Sequence, residues 1–262
     1  MKTIAITGGK GGTGKTTITL KIAKQLLKQE KRISIVDADI ETPNIYSFIG
    51  LGKVVDVLTQ DYPSVNEQCI SCGLCVEKCP NGALFLQDKI ELIESMCEGC
   101  GLCKYVCPVN AIKMEKRVVG NIYVNKNGFQ LITGLLNRNI EETGGLVQQL
   151  IRYSDKIDVD IRLIDTAAGI HCNVIKALSF ADEIYVVVEP TPLGLHDFKI
   201  IKKLIKKMDK QMFIIINKYI DNKVSTNIEN IAKKEHIPIL FRLPYDEALN
   251  KAYARGKIWE YI

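Results

Sequence analysis

The octapeptide Gly9-Lys10-Gly11-Gly12-Thr13-Gly14-Lys15-Thr16 constrains this chain more than any other stretch, because it fits G-x-x-x-x-G-K-[ST]. It stands directly behind Lys2 to Thr7, a short β-branched run suited to a buried strand. From Thr16 to Gln29 apolar residues recur at helical spacing, with Ile18, Ile22 and Leu26 on one face. The glycines let successive backbone N–H groups turn inward as an anion nest and admit a polyphosphate close to the backbone. Lys15 supplies a point charge for the β- and γ-phosphates, the Thr16 hydroxyl suits Mg²⁺, and Thr17 follows in the helix's first turn. A loop between a strand and a helix N-terminus is where a helix dipole favours phosphate. The sequence therefore predicts a nucleotide-binding protein.

A second pattern sits in the middle of the chain. Cys69-x2-Cys72-x2-Cys75-x3-Cys79-Pro80 is followed by Cys97-x2-Cys100-x2-Cys103-x3-Cys107-Pro108, the bacterial two-cluster ferredoxin run given twice. In that run the fourth cysteine ligates the other cluster. Cys69, Cys72, Cys75 and Cys107 are thus expected to hold one [4Fe–4S] centre, and Cys97, Cys100, Cys103 and Cys79 the second. Zinc sites also use Cys-x2-Cys pairs but do not need the duplication, and disulfides do not suit a reducing cytoplasm. Gly73-Leu74-Cys75 against Gly101-Leu102-Cys103 shows the same internal repeat.

Composition changes at the same place. Residues 60–115 hold eight acidic and four basic side chains and eight of the nine cysteines, in a chain whose formal charge is +5. At 262 residues, with 47% apolar and 25% charged residues, there is material for one large α/β domain with a small insert. The expected division is 1–59 and 116–262 for a discontinuous nucleotide-binding domain, and 60–115 for an inserted ferredoxin domain. Further strands are expected at Lys31 to Val36, Val118 to Val124, Phe129 to Thr133, Ile161 to Asp165, Ile184 to Val188, Met212 to Ile216 and Ile237 to Leu243. Asn125-Lys126-Asn127-Gly128 reads as a hairpin turn, and a helix is expected to begin at Glu141-Glu142-Thr143. Asp165, ending its strand, suits a Walker B carboxylate that holds Mg²⁺ through water. The fold class is α/β: a doubly wound, mostly parallel sheet with an inserted ferredoxin-like α+β domain.

With Lys10 as a second lysine, the phosphate loop resembles that of the MinD/ParA/nitrogenase-iron-protein class of ATPases, and the whole chain resembles members of that superfamily containing an inserted ferredoxin domain. The resemblance implies that Lys10 reaches across a dimer interface to the partner's nucleotide. It also implies that Asp39, in the switch-like Asp37-Ala38-Asp39-Ile40-Glu41-Thr42-Pro43-Asn44, orients the attacking water while Asp37 lies near the metal. Thr166-Ala167-Ala168-Gly169 stands where the family has a second switch, usually with proline before the glycine; Gly169 is expected to donate its N–H to the γ-phosphate. Asn217 takes the place of an adenine-reading Asn, and Pro244, Tyr245 and Asp246 that of a base-pocket wall.

The resemblance further implies a slow ATPase, dimeric with itself or a paralogue, whose cofactors are ATP, Mg²⁺ and two [4Fe–4S] clusters. Its leading function is a switch that couples nucleotide state to electron transfer with a partner redox metalloprotein. The alternatives are an Mrp-like iron–sulfur assembly carrier and a redox-sensing ParA-like positioning protein. No run approaches the roughly 18 apolar residues of a membrane span, the lysines between Lys199 and Lys210 read as a solvated helix face, and nucleic acid is not expected as a partner. The expected location is the cytoplasm. The ninth cysteine, Cys172, reads as a small buried residue opening a helix; the alternative is an interface metal ligand close to the second switch.

Overall fold

The structure is a computed structural model that describes residues 1–137 and 143–262. Glu141 and Glu142 of the expected helix start lie outside the described residues. The chain opens β1 (Lys2–Thr7), α1 (Lys15–Lys28), β2 (Ile33–Asp37), α2 (Tyr46–Ile49), β3 (Lys53–Val65). After α3 (Leu74–Glu77), β4 (Leu84–Leu86), β5 (Ile90–Leu92) and α4 (Leu102–Tyr105) come β6 (Ile112–Asn125) and β7 (Gln130–Leu136). The remainder alternates: α5 (Gly144–Ser154), β8 (Ile161–Asp165), α6 (Cys172–Ser179), β9 (Glu183–Val188), α7 (Pro192–Lys207), β10 (Gln211–Tyr219), α8 (Lys223–Lys234), β11 (Ile239–Pro244), α9 (Glu247–Ala254) and α10 (Ile258–Tyr261).

Nine strands form one sheet in the order β11-β10-β9-β1-β8-β2-β7-β6-β3. The strands from β11 to β7 pair in parallel, and β6 and β3 complete the edge in antiparallel pairing. Parallel strands covered on both faces need apolar side chains on both, and the central strands supply them. Ala5, Val36 and Ile164 face one buried cluster, while Ile4, Ile6, Ile33, Ile35 and Leu163 face the other. This alternation brings the C-terminal ends of β1, β2 and β8 side by side, with Asp37 opposite Asp165 in register.

The expected hairpin forms at residues 125–130, with Asn125 opposite Leu131. β6, however, starts at Ile112, well before the strand expected from Val118, because it pairs along its length with β3, a strand the sequence analysis did not anticipate. Their antiparallel pairing runs from Lys53 opposite Val124 to Val65 opposite Ile112. The first part belongs to the main sheet, and the rest continues beyond β7 as a two-stranded ribbon. The expected boundaries at 60 and 115 therefore fall inside continuous strands, and only residues 66–111 leave the ribbon.

Those residues have their own small core of Cys75, Leu84, Ile90, Cys103 and Ile112. The segment is a backbone repeat as well as a sequence repeat. Ser71 and Gly99, Gly73 and Gly101, and Gly82 and Asn110 occupy matching left-handed positions, with φ of 54° and 69°, 73° and 75°, and 60° and 52°. Tyr62, 1% exposed, roots the segment on the ribbon. The Arg117 guanidinium stands 5.3 Å over its ring and pairs with Glu94.

The base of the ribbon depends on Gly52. It sits at φ 84°, and a Cβ there would lie 2.2 Å from the Val124 carbonyl oxygen. Gly52→Ala should lower stability by about 2 kcal/mol or more, from a left-handed backbone combined with a clash against a strand. Urea unfolding measures it; an unchanged midpoint would mean that the ribbon base yields freely.

Candidate functional site

A cleft of about 930 Å³ opens at the C-terminal ends of the parallel strands, the expected ligand position in such a sheet. The loop after β1 forms its floor. The Thr16 hydroxyl donates to Asp165 Oδ2 at 2.7 Å, and the Thr19 hydroxyl donates to Oδ1 at 2.9 Å. Burial first, and the nearby Asp39 charge, outweigh these bonds and the Lys15 ammonium and push the Asp165 carboxyl up to about 6. Burial and then Asp165 raise Asp37 well above the usual carboxylate range. Burial lowers the Lys15 pKa against the pull of Asp165 and Asp39. Asp165 and Asp39 act on the one lysine while Asp37 stands beside Asp165, an arrangement that a divalent cation would relieve. Thr16 and Asp165 are placed to hold one.

Asp37 has a structural part beside the one expected of it. It is 1% exposed, and its Oδ2 accepts from the backbone N–H groups of Asn44 and Ile45 at 3.0 and 3.1 Å. It therefore ties down the far end of the first switch segment, while its buried Oδ1 has no protein partner and remains free for a metal-bound water. Asp39 lines the cleft and accepts from the Thr42 N–H and hydroxyl at 3.3 and 3.1 Å.

Other expected site residues divide between the cleft and its supports. Gly11, Gly12, Gly14, Lys15, Thr16 and Thr17 face it. Gly9 lies behind, where a Cβ would come within 2.1 Å of Asp197, and Thr13 is buried. The Gly169 N–H, expected at the γ-phosphate, donates instead to the Gly8 carbonyl at 3.1 Å, because this switch folds back on the loop. Asn217 Nδ2 donates to the Thr13 carbonyl at 2.8 Å, which leaves its amide oxygen as the available acceptor for a base amine. Pro244, Tyr245 and Asp246 form the opposite wall, and Asp246 also caps α9 through the Leu249 N–H at 2.9 Å. The Lys10 ammonium lies 3.0 Å from Glu189, whose carboxylate is shared with Lys218 at 3.5 Å. Burial alone would raise the Glu189 pKa; the two ammonium groups hold it below its ordinary value.

The sequence analysis gave no role to several cleft residues. Glu41 accepts from Thr143 and Asn173 at 2.9 and 3.3 Å, joining the first switch to the starts of α5 and α6. Tyr253 of α9 lines the cleft and packs on Phe48 of α2, with ring centroids 4.8 Å apart. These partners are far apart in sequence, so no local signal marks them. Cys172, expected to be buried, is exposed on the cleft wall, because α6 begins at the surface beyond the second switch.

Among the described residues no group of three His, Cys, Asp or Glu side chains is arranged to hold a single metal ion. The eight central cysteines instead surround two small cavities. Cys69, Cys72, Cys75 and Cys107 line one, and Cys97, Cys100, Cys103 and Cys79 line the other. Backbone N–H groups of Ser71, Ala83 and Ala111 donate to the sulfurs of Cys69, Cys79 and Cys107 at 3.4, 3.3 and 3.2 Å. Burial raises the thiol pKa values of Cys75, Cys97 and Cys103.

Residues 4–259 match the family of CobQ/CobB/MinD/ParA nucleotide binding domains. An uncharacterized protein of Methanocaldococcus jannaschii is 32% identical over 275 residues, covering 98% of this chain and 91% of its own. An iron-sulfur cluster carrier protein of Rickettsia prowazekii is 40% identical over 84 residues, 29% of this chain and 25% of the carrier. Among solved structures, the septum site-determining protein MinD of Pyrococcus horikoshii, complexed with Mg-ADP, superposes with a TM-score of 0.55 at 18% identity. That superposition covers 97% of this chain and 86% of the other, and it shows a shared fold.

The raised Asp165 pKa has a measurable sign. The folded protein keeps a proton up to about pH 6 that the unfolded chain releases near pH 4, so stability falls as pH rises between these values. Without Mg²⁺ and nucleotide, the Asp165 contribution to unfolding free energy should drop on the order of 2 kcal/mol from pH 4 to pH 7, read as the difference between the profiles of the unsubstituted protein and Asp165→Asn. Asp165→Asn should remove much of the slope, leaving the part due to Asp37. Parallel profiles for the two proteins would show that Asp165 is ionised throughout.

Proposed function

We propose that this chain, which belongs to the CobQ/CobB/MinD/ParA nucleotide-binding family, is an ATP-hydrolysing switch whose nucleotide state controls electron transfer through two [4Fe–4S] clusters, to or from a partner metalloprotein. The observation that carries the reading is the crossed grouping of the cysteines. Each cavity takes three thiols from one run and the last thiol of the other, as a two-cubane ferredoxin segment requires. A cubane spreads its four thiolates over four irons, so its ligands stand farther apart than those of one ion. The N–H groups aimed at sulfur are the kind of contact that tunes such a centre. When bound, the clusters supply one-electron carriers.

The nucleotide end works through residues already in place. Lys15 and the loop N–H groups bind the phosphates, Thr16 and Asp165 hold Mg²⁺, and Asp39 orients water on the open side of the cleft. Lys10 completes the site of a second subunit, either an identical chain or a paralogue, and must leave Glu189 to do so. Turnover is therefore slow until a partner favours the closed dimer. The first switch runs through α2 directly into β3 and the ribbon, so closure can alter the distance or docking of the cysteine segment. The site of action is the cytoplasm, where reduced thiols and ATP are both available.

The similarity to the iron-sulfur cluster carrier favours a second reading, in which the chain delivers a cluster to an acceptor. Transfer of iron and sulfide to an apo-acceptor distinguishes it from reversible reduction with the clusters retained.

Protein isolated without oxygen should carry about eight iron and eight sulfide per chain. Cys79→Ala should damage the centre of the Cys97 run and spare that of the Cys69 run, as read by iron content and the spectrum of the reduced protein. Bound zinc, or a single cluster, would sink the electron-transfer reading. At the other end, Lys10→Ala should bind ATP as a monomer yet lose ATP-dependent dimerisation and at least about tenfold in hydrolysis. A wild-type rate would remove Lys10 from the partner's site.

A further inference from the structure

One helix joins the nucleotide cleft to the nearer cysteine quartet. α5 begins inside the cleft, where its N-cap Thr143 hydroxyl donates to Glu41 Oε1 at 2.9 Å and Asn173 Nδ2 donates to the same oxygen at 3.3 Å. All three residues line the cleft. Six residues on, roughly 9 Å along the helix axis, Gln149 meets the outer edge of β3. Its amide engages both backbone groups of one residue: the Thr59 N–H donates to Oε1 at 3.0 Å, and Nε2 donates to the Thr59 carbonyl at 2.7 Å. β3 is the edge strand, so Gln149 stands in for a missing neighbour, at the step where the β3–β6 register shifts.

The next residue carries the contact to the cysteines. Gln60 is 8% exposed, and its Nε2 donates to the Cys97 carbonyl at 2.6 Å. Its buried Oε1 has no partner. Asp61 supports the same turn, since a Cβ on Gly99 would lie 2.6 Å from the Asp61 carbonyl oxygen.

We infer that Gln149 and Gln60 are positioning residues that carry nucleotide state from the Glu41–Thr143–Asn173 knot to the Cys97 quartet. This rests on the reading that the quartet holds a cluster. Three features make the link physical. α5 is a rigid rod with its first turn bonded to the first switch, so movement of Glu41 moves Gln149. An amide bonded to both the N–H and C=O of Thr59 cannot slide along β3 without losing both bonds. Gln60 is a buried amide with one half unsatisfied, so a small shift of the ribbon changes which of its atoms is paired. Turning the Cys97 peptide alters the dipoles around its sulfur, one of the levers on a cluster's potential.

The test uses the full-length protein isolated without oxygen and reduced with dithionite, which supplies one electron to each cluster. Electron paramagnetic resonance is recorded with Mg-ADP and with a non-hydrolysable ATP analogue. The signal lost in Cys79→Ala identifies the nearer cluster. In the unsubstituted protein that signal should shift between the two nucleotides. Gln149→Leu should keep eight irons, both signals and the basal ATPase rate, and should lose the shift. A shift of wild-type size in Gln149→Leu overturns the inference, as does a two-cluster wild-type protein with no shift at all. Wild-type protein without clusters overturns the functional reading beneath it instead. Should Gln149→Leu fail to load iron, Gln149→Glu keeps the bond from the Thr59 N–H and replaces donation to the Thr59 carbonyl by oxygen–oxygen repulsion. A diminished shift there supports the inference, and an undiminished one overturns it.

Discussion

The buried carboxylate of Asp165 is the point on which the nucleotide half depends. It ends β8, accepts from two hydroxyls in the first turns of α1, and its own backbone carbonyl accepts from the Ala38 N–H at 2.8 Å. One residue thus ties the phosphate loop to the first switch. Neutral hydroxyls bonded to a buried carboxylate do not balance its charge, as the raised pKa shows. A divalent cation held there would balance that charge. Chemistry and fold are joined at the same atoms.

The cysteine segment depends on a different interaction. Its ion pair between Arg117 and Glu94 is about 40% exposed at both ends, which limits it to about 1 kcal/mol or less. Tyr62 is the larger anchor: burying an aromatic ring of that size contributes roughly 1.5–3 kcal/mol. Even so, the segment's own core is small, and two of its five buried members are cysteines. Ligation of the thiols is therefore expected to contribute much of its folding energy, as it does in other small metal-bound modules.

The two halves are joined through ordinary packing elements. The chain passes from the first switch through α2 into β3, and Asn125 Nδ2 donates to the carbonyls of Ile49 and Gly50 at the ribbon's base at 3.1 and 2.8 Å. Phe48 on Tyr253 links that base to the helix over the cleft, and α5 runs between cleft and ribbon.

The sequence by itself determined the phosphate loop, the Walker B strand at Ile161 to Asp165, the parallel α/β class and the duplicated cysteine runs. Each rests on covalent spacing: glycines at fixed offsets, an apolar run ending in Asp, or thiols two and three residues apart. It missed β3, because that strand alternates weakly, has an exposed edge with Val54 and Val57, and finds its partner only across the intervening segment. Only the tertiary structure decided that the insert hangs from a ribbon, that Asp37 clamps a loop, that the Gly169 N–H is taken by Gly8, and that Cys172 is exposed. It also joined Glu41 to Thr143 and Asn173, and Gln149 to Thr59. Apart from the Asp37 clamp, whose partners lie seven and eight positions on, these hydrogen bonds link residues about a hundred or more positions apart and follow from how the layers stack, which no local pattern encodes.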